Sequence, residues 1–190
     1  MYAFDYQRPA SVADAAKLAA SGAKLLAGGQ TLLASMKLRL SAPETLADLG
    51  AIKDLAGVRK EGNALVIGAM TRHADVARHS DVRATIPALA QLADGIGDRQ
   101  VRAMGTLGGS IANNDPSACY PCAVLGLGAT VVTSKREIAA DDFFQGMFTT
   151  ALEDDELITA IRFPLAQRAA YMKFKQPASR FALIGVFVAQ

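Results

Sequence analysis

The chain has 190 residues, of which 51% are hydrophobic and 20% are charged, values that are ordinary for a globular protein with one substantial core or two small lobes. Its 20 basic and 18 acidic residues give a net charge of +2, without the basic cluster typical of nucleic-acid binding. No apolar run approaches the ~20 residues that span a bilayer. We therefore expect neither nucleic-acid binding nor a membrane span.

The first fifty residues predict strands and helices in alternation. Ser11 can cap the Ala-rich helix that follows it, and Gly22 suits the left-handed position after that helix. The predicted elements are a strand at 2–6, a helix at 12–21, a buried strand at 23–27, a helix at 31–40 and a strand at 45–49.

The rest of the chain mixes hairpins and helices without a regular βαβ rhythm, so we predict an α+β fold. Thr71 can cap a helix that runs to about His79. The predicted elements are hairpins at 58–69 and 129–139, helices at 71–79, 86–96 and 120–127, and strands at 157–163, 171–175 and 181–189.

Two glycine-rich corners are the candidate ligand site: AKLLAGGQTLL at 23–33 and GTLGGSIANNDP at 105–116. Consecutive glycines let a backbone approach a ligand closely, and successive amides at such a corner can hold an anion. Each corner is predicted to follow an apolar strand, and the hydroxyls of Thr31, Thr106 and Ser110 can complete a phosphate site. The common nucleotide-binding motifs GxGxxG and GxxxxGK[ST] are both absent. The residues alone therefore indicate no more than a pyrophosphate ligand, and ordinary tight turns remain the alternative.

The same corners resemble the paired AGG and TxGG signatures of the FAD subunit of molybdenum hydroxylases, a family that includes carbon monoxide dehydrogenase and xanthine dehydrogenase. The flanking strings FDYQRPAS, QVR, ELITAIRFP and KFKQPASRFA match as well. The resemblance implies a two-lobed FAD-binding domain of the vanillyl-alcohol oxidase and MurB reductase type. It implies an N-terminal lobe at 1–55, a second lobe at 56–170, and at 171–190 the start of a C-terminal domain that is otherwise largely absent.

By the same resemblance, the cofactor-binding positions fall in both corners and at four separate places. They are Leu25, Leu26, Ala27, Gly28, Gly29, Gln30, Thr31, Leu32, Ile96, Thr106, Gly108, Gly109, Ser110, Asp115, Ile158 and Lys175. Lys173 is an alternative alignment for Lys175. Cys119 stands where many relatives carry an aspartate that contacts FAD, so that contact differs here.

The resemblance implies an oxidoreductase subunit that passes electrons from the two [2Fe–2S] clusters of a small iron–sulfur partner to FAD and on to an external acceptor. A large molybdopterin partner would hydroxylate the substrate. No catalytic acid or base is assigned to this chain. Two other hypotheses stay open: a non-redox nucleotide-binding or assembly module, and a stand-alone flavin oxidase.

The remaining reactive residues favour structural roles. Cys119 and Cys122 form a C-x-x-C without a second pair, so we predict no metal site. With only two cysteines and no signal-peptide pattern, the chain is predicted to be cytoplasmic. We predict that His73 and His79 face solvent and that the acidic run at 153–156 is a solvated loop.

Overall fold

The computed structural model describes all 190 residues. The strands are β1 (Asp5–Gln7), β2 (Lys24–Leu26), β3 (Thr45–Asp48), β4 (Val58–Glu61), β5 (Ala64–Gly68), β6 (Thr130–Thr133), β7 (Glu137–Ala139), β8 (Phe144–Gly146), β9 (Thr149–Thr150), β10 (Ile158–Pro164), β11 (Ala169–Lys175) and β12 (Ala182–Ala189). The helices are α1 (Val12–Ala20), α2 (Leu32–Lys37), α3 (His73–Arg78), α4 (Ser80–Thr85), α5 (Pro87–Asp94), α6 (Arg99–Met104), α7 (Leu107–Asn113), α8 (Tyr120–Gly126) and α9 (Ala140–Phe143). None of these helices has both the length and the apolar character needed to cross a bilayer.

The predicted Ser11 cap of α1 and the predicted left-handed position at Gly22 are confirmed. The Ser11 hydroxyl accepts a hydrogen bond from the Asp14 amide at 3.1 Å, and Gly22 follows the helix with a φ of 89°. Helix α2 is shorter than predicted, because Arg39 adopts a left-handed φ of 61° soon after it ends.

The predicted cap at Thr71 is wrong. Arg72 occupies the N-cap position of α3 and makes no side-chain capping bond. The Thr71 hydroxyl instead accepts from the Gly57 amide at 2.9 Å and donates to the Gly57 carbonyl at 3.1 Å. Its side chain therefore ties the segment before β4 to the turn after β5.

A small parallel sheet forms the N-terminal part of the molecule, with strand order β1-β3-β2. Leu46 in its central strand is buried, as expected for a strand covered on both faces. Ala15 of α1 joins a cluster that includes Leu55 from a short 3-10 turn and Leu157 from the loop before β10. This cluster connects the small sheet to the rest of the protein.

The larger sheet is antiparallel and has the order β4-β5-β10-β6-β7. Both predicted hairpins, β4–β5 and β6–β7, are confirmed. The main hydrophobic core of 29 buried residues lies between this sheet and helices α3 to α5 and α7 to α9. The mixture of helices with a parallel and an antiparallel sheet confirms the α+β class.

Strands β11 and β12 pair only with each other. Tyr171 and Phe187 lie on the buried face of this hairpin, with their ring centroids 6.3 Å apart. The opposite face is apolar and each of its large side chains is more than half exposed. These side chains are Met172, Phe174, Ile184, Val186 and Val188. We propose that the lobes end near residues 55 and 170, which the separation of the two sheets and the hairpin supports.

The acidic run before β10 is not simply a solvated loop, because Glu156 is only 3% exposed. Its carboxylate accepts hydrogen bonds from Thr133, from the Arg136 guanidinium at 3.1 Å and from the Glu153 amide at 3.1 Å. Burial raises the pKa of the Glu156 carboxyl, but the hydrogen bonds from Arg136 and Thr133 outweigh burial and lower the pKa to about 2. The ionised carboxylate therefore stabilises the β6–β7 hairpin against the loop before β10.

We expect Glu156→Gln to lower the free energy of unfolding at neutral pH by about 2 kcal/mol, because a neutral amide replaces a buried, hydrogen-bonded carboxylate. Since the folded-state pKa lies below the unfolded-state value, this contribution is present above pH 4.5 and is lost as the pH falls towards about 2. Urea unfolding of both proteins across this range measures the difference. Glu153→Gln, at a more exposed partner of Arg136, serves as the control and should cost less than about 0.5 kcal/mol.

Candidate functional site

The first glycine corner joins β2 to α2. Gly29 has a φ of 70°, which a side chain would strain, and the Gln30 side-chain amide donates to the Gly28 carbonyl at 3.3 Å. Leu25, Leu26 and Ala27 before the corner are half-buried, as is Leu32 at the start of α2, while Gln30 and Thr31 are exposed. The corner is therefore open to a ligand on one side.

The backbone amides of this corner have no partner inside the protein. None of the N–H groups from Gly28 to Thr31 donates a hydrogen bond to another group of the chain. Most amides of a folded protein are paired, so a run of four free N–H groups at a partly open corner is suited to binding an anion.

The second corner differs from its prediction, because it follows helix α6 and not a strand. Gly108 and Gly109 lie inside the first turn of α7, which Thr106 caps by accepting from the Gly109 amide at 3.2 Å. The Leu107 amide donates to the Thr71 carbonyl at 3.0 Å, and the Gly108 amide donates to the Ala69 carbonyl at 2.8 Å. The Gly108 amide is therefore not available to cradle a phosphate.

Gly108 instead allows close packing. A Cβ added there would lie 2.5 Å from the Cβ of Ala69, which is too close for any side chain. The Ala69 amide in turn donates to the Thr159 carbonyl of β10 at 2.9 Å. Helix α7 is thus joined through Ala69 to the central strand of the large sheet.

The two corners are in direct contact with each other. A Cβ added to Gly28 would lie 2.2 Å from the Met104 carbonyl oxygen and 2.7 Å from the Cα of Gly105. A Cβ added to Gly109 would lie 3.4 Å from the Cβ of Ala27. Sequence reasoning paired the corners but missed the role of Met104, because a backbone carbonyl leaves no signal in the residue type.

Asp115 lies near the end of the second corner, after α7, in a groove of about 330 Å³ between its own loop and the β11–β12 hairpin. Its carboxylate accepts from the Ser117 amide at 2.8 Å. Phe181 and Gln176 line the opposite wall of this groove. Ser110 is half-buried on α7, and the hydrogen bonds of the structure do not use its hydroxyl.

The structure distinguishes the two candidate lysines. Lys173 donates to the Gly95 carbonyl at 3.1 Å and to the Cys119 sulfur at 3.2 Å, whereas Lys175 is exposed and forms no ion pair. Cys119 is 5% exposed, so its side chain faces the interior. Burial raises the pKa of the Cys122 thiol to about 11.

The last two predicted positions are Ile158 and Ile96. Ile158 is buried in the main core at the start of β10, next to the residue that bonds Ala69. Ile96 is half-buried after α5, and its carbonyl accepts from the Arg102 guanidinium at 3.0 Å. No hydrogen bond or ion pair connects either residue to the glycine corners.

The predicted exposure of His73 is wrong. The residue is only 5% exposed, and its backbone amide donates to the Gly105 carbonyl at 3.0 Å. One sequence signal does indicate this burial: His73, Val76 and Ala77 share a helical spacing in the segment that follows the apolar strand β5. His79 is half-buried and caps α4 by accepting from the Asp81 amide at 3.2 Å.

We expect Gly28→Ala to lower the free energy of unfolding by about 2–3 kcal/mol, because the new methyl group must displace the backbone of the second corner. Gly128→Ala is the matched control: its φ is 58°, but its added Cβ meets no atom within 4 Å, so it should cost only about 1 kcal/mol. Urea unfolding measures both variants. Equal losses would contradict the close contact between the corners.

Comparison with known proteins places this geometry in a family. Residues 2–166 match the model described as "FAD binding domain in molybdopterin dehydrogenase". The carbon monoxide dehydrogenase medium chain of Afipia carboxidovorans is 42% identical over 189 residues, covering 94% of this chain and 66% of the relative.

Solved structures agree. Carbon monoxide dehydrogenase from Hydrogenophaga pseudoflava superposes with a TM-score of 0.93 at 41% identity, covering 97% of this chain and 68% of that one. Quinoline 2-oxidoreductase from Pseudomonas putida gives 0.93 at 30% identity, covering 97% and 67%. The chain thus spans about two thirds of the length of these relatives. It belongs to the family of FAD-binding domains of molybdopterin dehydrogenases.

Proposed function

We propose that this chain is the FAD-bearing electron-transfer subunit of a molybdenum hydroxylase. In this role it receives electrons from the [2Fe–2S] clusters of a small partner and delivers them to an external acceptor, while a large molybdopterin partner hydroxylates the substrate. Relatives named as medium or FAD-binding subunits of carbon monoxide, glyceraldehyde and xanthine dehydrogenases support the proposal. The free thiols of Cys119 and Cys122 fit a cytoplasmic complex.

One observation carries the assignment of the ligand site: the unpaired amides from Gly28 to Thr31. A diphosphate bound there would receive several N–H donors from one short segment without displacing any existing hydrogen bond. The residues of the first corner therefore fit the diphosphate of FAD. The contact with Met104 and Gly105 holds this segment in place.

Helix α7 contributes hydroxyls and not amides. The Thr106 oxygen accepts from the Gly109 amide, which leaves the Thr106 hydroxyl hydrogen free to donate. Ser110 stands one turn further along α7 with an uncommitted hydroxyl. We propose that these two side chains complete the diphosphate site, and that Gly108 and Gly109 bring them close to the first corner.

The remaining positions are proposed to contact the nucleotide or ring portions of the cofactor. Asp115 borders the groove beside the β11–β12 hairpin and can accept hydrogen bonds from ribose hydroxyls. Lys175 has an uncommitted ammonium group on the same hairpin. We retain Ile96 and Ile158 as family positions; Ile158 would act through its backbone, because its side chain fills the core.

When bound, FAD supplies the ability to exchange electrons singly and in pairs, which the protein side chains lack. The chain itself binds and orients the cofactor. Binding, orientation and electrostatics are the roles that the protein supplies to such a cofactor, so we assign no acid or base. Substrate choice belongs to the molybdopterin partner.

We expect purified chain to bind FAD in a one-to-one ratio but to retain FMN poorly, because FMN lacks the diphosphate. Gel filtration followed by flavin absorbance measures retention, and dithionite should bleach the bound flavin. Gly28→Ala should raise the FAD dissociation constant at least about tenfold, whereas Gly128→Ala should leave it unchanged.

Equal retention of FMN and FAD would contradict the diphosphate assignment. Bound FAD that dithionite reduces, but that reduced iron–sulfur partner does not, would contradict the electron-transfer role. It would favour the alternative of a non-redox nucleotide-binding module. Substrate turnover by the chain alone would favour a stand-alone flavin oxidase.

A further inference from the structure

His73 packs against Gly105 of the second glycine corner. It is the first residue of α3, and its backbone amide donates to the Gly105 carbonyl. A Cβ added to Gly105 would lie 2.5 Å from Nε2 of His73, so the glycine backbone rests on the imidazole ring. Gly105 also contacts Gly28 of the first corner, whose added Cβ would lie 2.7 Å from the Gly105 Cα. The His73 ring thus helps to fix where Gly105 lies against the first corner.

The burial of a polar ring at position 73 lowers the stability of the fold. Nδ1 of His73 is buried and has no hydrogen-bond partner. The hydroxyl of Tyr120, whose ring centroid lies 5.3 Å from that of His73, is also buried without a partner. Each unpaired buried polar group costs about 1–3 kcal/mol, which an apolar side chain of similar size would avoid. The position of the ring under the ligand corner suggests what compensates for this cost.

We propose that His73 is a positioning residue of the cofactor site. Its ring supports the backbone of Gly105, and it takes up a proton when the diphosphate binds at the glycine corners. This inference rests on the proposed function, because it requires that the first corner holds the diphosphate of FAD. His73 touches neither substrate nor cofactor in this scheme. It acts through Gly105.

The electrostatic surroundings favour this coupling. Burial, and then the positive charge of Arg102, lower the pKa of His73 to about 4, so the ring is neutral at physiological pH. The negative charges of a diphosphate act in the opposite direction to Arg102 and favour the protonated ring. Because binding raises the pKa of His73, protons are taken up and FAD affinity increases as the pH falls from neutral towards about 4.

Arg102 is the only charged group that shifts the pKa of His73. Arg102 on α6 and Tyr120 on α8 are the groups that act on His73 or contact its ring, and no carboxylate forms an ion pair with it. The other charged residues on helices α3 to α6 are exposed or bonded elsewhere. They are Asp75, Arg78, Asp81, Arg83, Asp94 and Arg99.

Titration calorimetry with FAD tests the proposal on the full chain. At about pH 5, in two buffers that differ in ionisation enthalpy, the wild type should take up a fraction of a proton for each FAD bound. His73→Gln should abolish this uptake and raise the FAD dissociation constant roughly tenfold. His79→Gln, at the only other histidine, should retain the uptake. Equal uptake by wild type and His73→Gln overturns the proposal.

Nuclear magnetic resonance of the wild type provides a test that needs no stable variant at position 73. With only two histidines, His79→Gln assigns both imidazole signals. The His73 signal should titrate at a higher pH with FAD than without it. An unchanged His73 titration in FAD-saturated protein refutes the inference and leaves the proposed function intact. A wild type that binds no FAD refutes the proposed function itself.

Discussion

The structure depends on one contact between two stretches of backbone, where Gly28 lies against Met104 and Gly105. A methyl group on Gly28 would overlap the Met104 carbonyl and the Gly105 backbone, so the two stretches of backbone are in direct contact. Such a contact has little freedom to relax, because the displacement of either chain moves a whole turn. It fixes the distance between two segments that are 77 residues apart in the sequence, while the amides of the first corner remain unpaired.

Backbone hydrogen bonds attach the second corner to the large sheet. A series of backbone hydrogen bonds runs from Thr159 on β10 through Ala69 to Gly108 on α7. The large sheet therefore determines where α7 begins, and α7 determines where Thr106 and Ser110 lie. The two glycine corners look alike in sequence but have different roles: the first offers free amides, while the second uses its amides to attach the helix that carries the hydroxyls.

Much of the local structure could be predicted from the sequence. The Ser11 cap, the turn at Gly22 and the β4–β5 and β6–β7 hairpins each depend on residues close together in the chain. The glycine segments were identified as the candidate site for the same reason. The burial of Glu156 was not predicted, because the residues that surround it are distant in sequence, and the short apolar spacing of α3 did not outweigh the general tendency of histidine to be exposed. The helix before the second corner was missed since α6, RQVRAM, is short and has no buried residue, so its apolar spacing carries little information.

The outward face of the β11–β12 hairpin has a practical consequence for handling the isolated chain. Five large apolar side chains stand in adjacent rows, and both edges of the hairpin present unpaired backbone groups. Residues 165–190 contain four basic residues and no acidic one, so only weak like-charge repulsion opposes contact between two such faces. Exposed apolar strands with open edges are preferred starting points for aggregation. Concentrated samples should therefore lose solubility first through this hairpin, and more readily in high salt, where the repulsion is screened.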